Sequence, residues 1–151
     1  MSEKSKMSAT LFKGADSSVI SQKSAFKEVA INISRIMKID SKNVIDSLER
    51  REKANNTALI QGLAIPHIIL EKNFSPWLYV FKSNKCIADW HCLDDSKVTV
   101  LICLVVPKKI NQQDGNFKKI MYVINKLAEE DVVSQISKTK TAKQIINILE
   151  S

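Results

Sequence analysis

The sequence predicts a layered α/β fold in which helices cover a sheet, and three observations carry that expectation. Both ends of the chain, from Ser24 to Lys53 and from Phe117 to Leu149, place apolar residues three and four apart, the period of a helix buried on one face. Between them the period shortens and the residues become β-branched and aromatic. The stretch VTVLICLVVP (98–107) is apolar at nearly every position, which marks a central strand covered on both faces. Amphipathic helices around such a strand must pack on it in layers.

In chain order, residues 1–16 are polar and patternless apart from Leu11-Phe12, and are expected to form a flexible arm that docks by those two side chains; residues 17–151 form a single domain. Phe26, Val29, Ala30, Ile33, Ile36 and Met37 define the first helix, with Ser24 as its expected cap. A second helix starts near Asp40-Ser41, turns Val44, Ile45 and Leu48 inward and ends in the charged run 49–53; Asp46, Glu49 and Glu52 are expected on its solvated face. Asn55-Asn56 breaks it, and TALIQGLAIP (57–66) reads as extended chain interrupted at Gly62. WLYVF (77–81) is a strand bounded by Pro76 and by Lys82-Ser83-Asn84, and Pro107 closes the central strand. Phe117 to Ala128 make a broad apolar helix, Val132, Val133 and Ile136 a short one, and Thr141 with Gln144 a capping box for the last.

Composition narrows the function. No apolar run approaches the ~20 residues of a membrane helix, and nothing after Met1-Ser2-Glu3-Lys4 reads as a secretion signal, so a cytoplasmic protein without membrane insertion is expected. Cys86, Cys92 and Cys103 are odd in number and widely spaced, which suits reduced thiols. The net charge of +7 is spread over scattered lysines with no interleaved aromatic residues, a pattern that speaks against nucleic acid. CIADWHC (86–92) gathers two cysteines and His91, yet its spacing matches no common zinc motif. Trp90 is expected to pack between sheet and helix, and Cys103 to be an inert core thiol; no metal or cofactor is expected.

The unusual segment is GLAIPHIIL (62–70). A single histidine among apolar residues is ordinarily a core or strand-end side chain. Here Pro66 fixes its own φ and holds Ile65 extended, so the chain enters His67 with little freedom. A proline also confines this stretch to a sheet edge, where ligand sites gather. A neutral imidazole, with a reference pKa of about 6.5, is a competent nucleophile toward phosphorus or acyl carbon. No Gly-rich phosphate loop and no Ser-His-Asp set accompany it.

REKANNTALIQGLAIPH (51–67) resembles the active-site segment of enzyme IIA domains of the bacterial phosphotransferase system, fructose/mannitol type, including its nitrogen-regulatory branch. Arg51, Glu52, Thr57, Gly62, Ala64, Pro66 and His67 stand at matching positions, and the likeness extends from about Ser17 to Leu149 through IADWHCLDDSKVTVLICLVVP and FKKIMYVINKLAEE. The resemblance implies a mixed β-sheet flanked by helices on both faces. It also implies that His67 accepts a phosphoryl group from a small histidine phosphocarrier protein and that Arg51 lies near it. The recipient would be a regulatory target protein or a sugar-transport domain. In that setting a guanidinium suits a phosphoryl oxygen, and Thr57 would add a hydroxyl donor. Gly62 and Pro66 are expected to position the histidine.

The segment departs from the family pattern at Ala58 and Ile60, where glycines are usual, and at Ile68, where a small residue is common. Where many members carry a second histidine, this chain has Asn116, whose amide donates a hydrogen bond but carries no charge. These residues define the alternative, a partner-binding module that kept the fold and lost efficient transfer.

Overall fold

The computed structural model describes residues 11–151. The strands are β1 (Phe12–Ser17), β2 (Leu63–Ala64), β3 (His67–Leu70), β4 (Trp77–His91) and β5 (Lys97–Pro107). They form one mixed sheet in the order β1-β4-β5-β2, with β3 also on β5. β1 runs parallel to β4, β4 antiparallel to β5, and β2 and β3 parallel to β5. Leu63 faces Val100 and His67 faces Leu104, so β2 and β3 are one edge strand in unbroken register, interrupted at Ile65-Pro66. Proline lacks the N–H a continuous ladder needs; Pro66 faces β5, as its carbonyl bond to Leu104 N–H shows, so the ladder breaks there and resumes at the start of β3.

Helices cover both faces, as expected. The helices α1 (Gln22–Met37) and α2 (Ser41–Ala54) pack on one face, where Phe26, Ile33, Val44 and Leu48 meet Ile68, Phe81 and Cys103. The other face carries α3 (Gly115–Lys126), α4 (Glu130–Ser137) and α5 (Ala142–Glu150); there Ile120, Ile136 and Ile145 meet Leu63, Leu78 and Ile102. The alternation of β5 between these two cores explains its continuous apolar run. Thr141 and Gln144 form the expected capping box. Asp40 caps α2 and Asp114 caps α3.

Three local expectations are corrected. The cap of α1 is Ser21, whose hydroxyl accepts from the Ser24 N–H at 3.0 Å; Ser24 lies inside the helix. Residues 12–16, expected in a flexible arm, pair with β4 as part of β1, and both Leu11 and Phe12 are buried. The rest of that arm lies outside the described residues. WLYVF also continues through the polar triplet 82–84 to His91, with the ladder to β5 shifting between Lys82 and Ile87. The buried Ser83 makes this possible: its hydroxyl accepts from the Val19 and Lys85 N–H groups, so the irregular backbone stays hydrogen-bonded.

Candidate functional site

The site is built on the interrupted edge strand. Ahead of it, Leu63 N–H donates to the Ile60 carbonyl at 3.1 Å and Leu59 N–H to the Leu63 carbonyl at 2.8 Å, closing a tight turn. Gln61 and Gly62 occupy that turn with φ of 49° and 78°. Both values are left-handed, the requirement of a two-residue hairpin turn. Gly62 also lies against β5, where its carbonyl accepts from Thr99 and Val100. The usual-glycine positions Ala58 and Ile60 flank this turn: Ala58 is buried opposite Ala64, and Ile60 packs on the α3–α5 core.

Pro66 is buried, and its carbonyl accepts from Leu104 N–H at 2.9 Å, which fixes the start of β3. His67 sits opposite Leu104, a residue of the α3–α5 core, so the imidazole leaves the sheet on that face and at its rim. It is half-buried. Ile68 points the other way into the α1–α2 core and is fully buried, so this departure from the family pattern lies across the sheet from the imidazole.

Helix α2 runs along the outer edge of β3. The buried Ser47 accepts from the Ile69 N–H through its hydroxyl oxygen at 2.9 Å. One turn later Arg51 comes close enough for its charge to act on His67. The His67 pKa is lowered from its ordinary value, first by burial of the ring and second by the Arg51 guanidinium. Both causes keep the ring neutral, so a nitrogen lone pair is available at neutral pH.

The neighbouring Glu52, expected in solvent, is instead a fastener. Its carboxylate accepts from the Thr57 hydroxyl at 2.7 Å and from the Thr57 N–H at 3.1 and 3.2 Å. Thr57 is buried and its carbonyl accepts from Ile65 N–H at 3.0 Å. The Thr57 hydroxyl hydrogen is thus directed at Glu52, and the residue braces the loop ahead of His67.

Asn116 is the second residue of α3, partly exposed, with its N–H on the Asp114 carboxylate at 2.8 Å. Ser75, just before β4, donates to both Asp114 oxygens at 2.9 and 3.0 Å and pins the start of α3. Asn116 therefore opens a helix lying on the same sheet face as His67. Sequence reasoning missed Ser47 and the Ser75–Asp114 tie, and it matched Glu52 to the family segment while expecting its carboxylate in solvent. The first had a readable signal: Ser47 stands one helical turn before Arg51.

Within CIADWHC, Ile87, Trp90 and Cys92 serve the core. Trp90 meets Phe26 edge to face at 5.5 Å and donates through Nε1 to Asn56, while Cys92 is buried and Cys86 exposed. Among the described residues no three His, Cys, Asp or Glu side chains gather as a metal site would require. Burial pushes the Cys103 thiol pKa far up, so it stays protonated. No helix among the described residues is long and apolar enough to cross a membrane.

The family profile described as "Phosphoenolpyruvate-dependent sugar phosphotransferase system, EIIA 2" matches residues 10–151. The chain belongs to this family. Among IIA relatives, a nitrogen regulatory protein of Pseudomonas aeruginosa is 25% identical over 130 residues, covering 85% of this chain and 82% of its own. The fructose-specific EIIABC component of Mycoplasma pneumoniae is 24% identical over 107 residues, 71% of this chain but only 15% of that much longer protein. The IIA fold is shared with nitrogen regulatory protein IIA-Ntr from Neisseria meningitidis, with a TM-score of 0.73 at 20% identity over 93% of this chain and 97% of that one. It is shared too with the Escherichia coli complex of enzyme IIAMtl and phosphorylated enzyme IIBMtl, with a TM-score of 0.65 at 15% identity over 92% and 98%.

Proposed function

We propose that this IIA domain is a phosphocarrier whose His67 accepts a phosphoryl group from a phosphorylated small histidine carrier protein in the cytoplasm. Its use is regulatory, of the nitrogen type, and its recipient is a target protein more readily than a sugar-transport domain. The observation that carries the reading is the joint placement of His67 and Arg51. A neutral, half-exposed imidazole stands on a stiff sheet edge with a guanidinium near enough to disfavour its protonation. Names among the relatives support the regulatory use, since nitrogen regulatory proteins recur there.

The chemistry needs no cofactor. A lone pair on one ring nitrogen of His67 attacks phosphorus while the donor's N–P bond breaks, and its electron pair returns to the donor imidazole. The other ring nitrogen of His67 keeps its hydrogen, and no proton is consumed. Arg51 binds the equatorial oxygens as charge spreads over them, a role for which guanidinium is well matched. Asn116 supplies a neutral donor from the α3 side.

Intact-mass analysis after incubation with phosphoenolpyruvate, the general phosphotransferase enzyme and its small carrier tests this directly. An acid-labile phosphoryl adduct is expected on the native chain and absent from His67→Ala. No adduct with cognate donors would refute phosphotransfer. It would favour the binding-module reading, for which Asn116 in place of a histidine is the supporting observation.

A further inference from the structure

Arg51 sits on a helix, His67 on a strand, and their relative position depends on how α2 is fastened to the edge of the sheet. Two hydrogen-bonded attachments flank the pair. Ahead of Arg51, the Ser47 hydroxyl oxygen takes the Ile69 N–H at 2.9 Å, two residues after His67. Behind it, Glu52 takes the N–H and hydroxyl of Thr57, whose carbonyl takes the Ile65 N–H two residues before His67. The spacing is commensurate: one helical turn from Ser47 to Arg51 rises about 6 Å, and two strand residues from Ile69 to His67 span about 6.6 Å. The ladder direction explains why these amides need partners. Pro66 and Leu70 turn their carbonyls to β5, where Leu104 and Lys108 donate to them. That leaves the amides of the alternate residues on the outer edge, where an unpaired N–H is costly.

We propose that Ser47 and Glu52 are positioning residues, a two-point clamp that holds the last two turns of α2, and with them Arg51, at a fixed place against the strand bearing His67. The assignment rests on the phosphoryl-acceptor reading for its purpose but not for its test. Their hydrogen bonds go to Thr57 and to the Ile69 N–H rather than to the imidazole. Each closes a hydrogen bond that ties the helix to one flank of the acceptor, so loosening either lets the guanidinium drift. Transfer is sensitive to such drift, since displacement by about 1 Å can cost on the order of a hundredfold in rate.

The test is the pH titration of the two histidine ring signals by NMR, which requires no phosphorylation; His91 serves as internal reference. Arg51→Gln sets the scale by raising the His67 pKa toward its ordinary value. Ser47→Ala and Glu52→Gln are each expected to raise it in the same direction, to leave His91 unmoved, and to add nothing further in the Arg51→Gln background. Ser47→Thr, which keeps the hydroxyl, is expected to retain the native value. Initial rates of phosphoryl uptake are expected to fall about tenfold or more in both clamp variants. A His67 pKa unchanged in both variants overturns the proposal. So does a shift that persists undiminished when Arg51 is already gone, because the effect would then not pass through the guanidinium. If Glu52→Gln does not give a dispersed native spectrum, Ser47→Ala decides by the same criteria. Failure of phosphoryl uptake in the native chain would sink the acceptor reading while leaving the titration result standing.

Discussion

Replacing Gly62 by alanine tests whether the turn that delivers the chain to His67 is held as described. The φ of 78° is left-handed, where an L-residue costs about 1–2 kcal/mol. Crowding adds to this. A Cβ on Gly62 would stand 3.0 Å from Thr99 Oγ1 and 3.1 Å from the Lys97 carbonyl oxygen. Backing away means stretching the 2.8 Å bond from Thr99 N–H to the Gly62 carbonyl, and overpacking of this kind costs about 1–3 kcal/mol. The combined loss is about 2–5 kcal/mol, or a melting temperature lower by on the order of 10 °C for a domain of this size. Gly115→Ala is the control: nothing lies within 4 Å of the place its methyl would take, and it opens α3, so a gain of about 0.4–1 kcal/mol is expected. Urea denaturation with unchanged slope reads both values. A Gly62→Ala loss under about 0.5 kcal/mol would refute the left-handed turn against β5.

Three further outcomes are expected. Because the folded-state pKa of His67 is depressed, the unfolded chain binds more protons between that value and about 6.5; stability should rise with pH across that window and be lost as pH falls through it. His67→Gln should remove this component from the pH dependence of denaturation. Thr141→Ala removes the hydroxyl half of the capping box on α5, which accepts from the Gln144 N–H, and should cost about 1 kcal/mol by the same assay, whereas a neutral result would show that half to be replaceable by solvent. A thiol reagent should label Cys86 rapidly in the native protein and reach Cys92 and Cys103 only on unfolding, as counted by mass; early labelling of Cys103 would contradict its place inside β5.

The layered architecture was legible because each element stated its surroundings through its side chains. β5 is apolar on both faces because two cores meet across it, and Phe26 to Ile33 or Ile145 to Leu149 face one core each. His67 was legible because Pro66 leaves few ways to build a strand there. What stayed hidden depends on hydrogen bonds between segments distant in sequence or on a single polar atom. Nothing local says that Ser83 will carry β4 through its irregular stretch, or that Phe12–Ser17 will find β4 as a parallel partner. Glu52 looked like any helix-surface carboxylate, and only the turned-back chain at Thr57 gives it a buried hydroxyl to hold. Ser24 and Ser21 are both plausible caps by residue type; the extended φ and ψ at Ser21 decide between them.

The position of Arg51 serves both protonation and phosphoryl states of His67 under the proposed function. Before transfer its charge opposes an imidazolium and so maintains the nucleophile. After transfer the same charge faces a group carrying about two negative charges and favours it. A lysine in its place would preserve the first effect and lose the bidentate grip needed for the second. Arg51→Lys should therefore leave the His67 titration near its native value while shortening the life of the phosphorylated form. The proposed change of charge at the rim lies two residues from Ile69, which is 50% exposed and is on the same strand. An apolar contact beside a site that turns from net positive to net negative suits a surface whose partner depends on phosphorylation. That is the physical basis for preferring a regulatory use of the proposed acceptor.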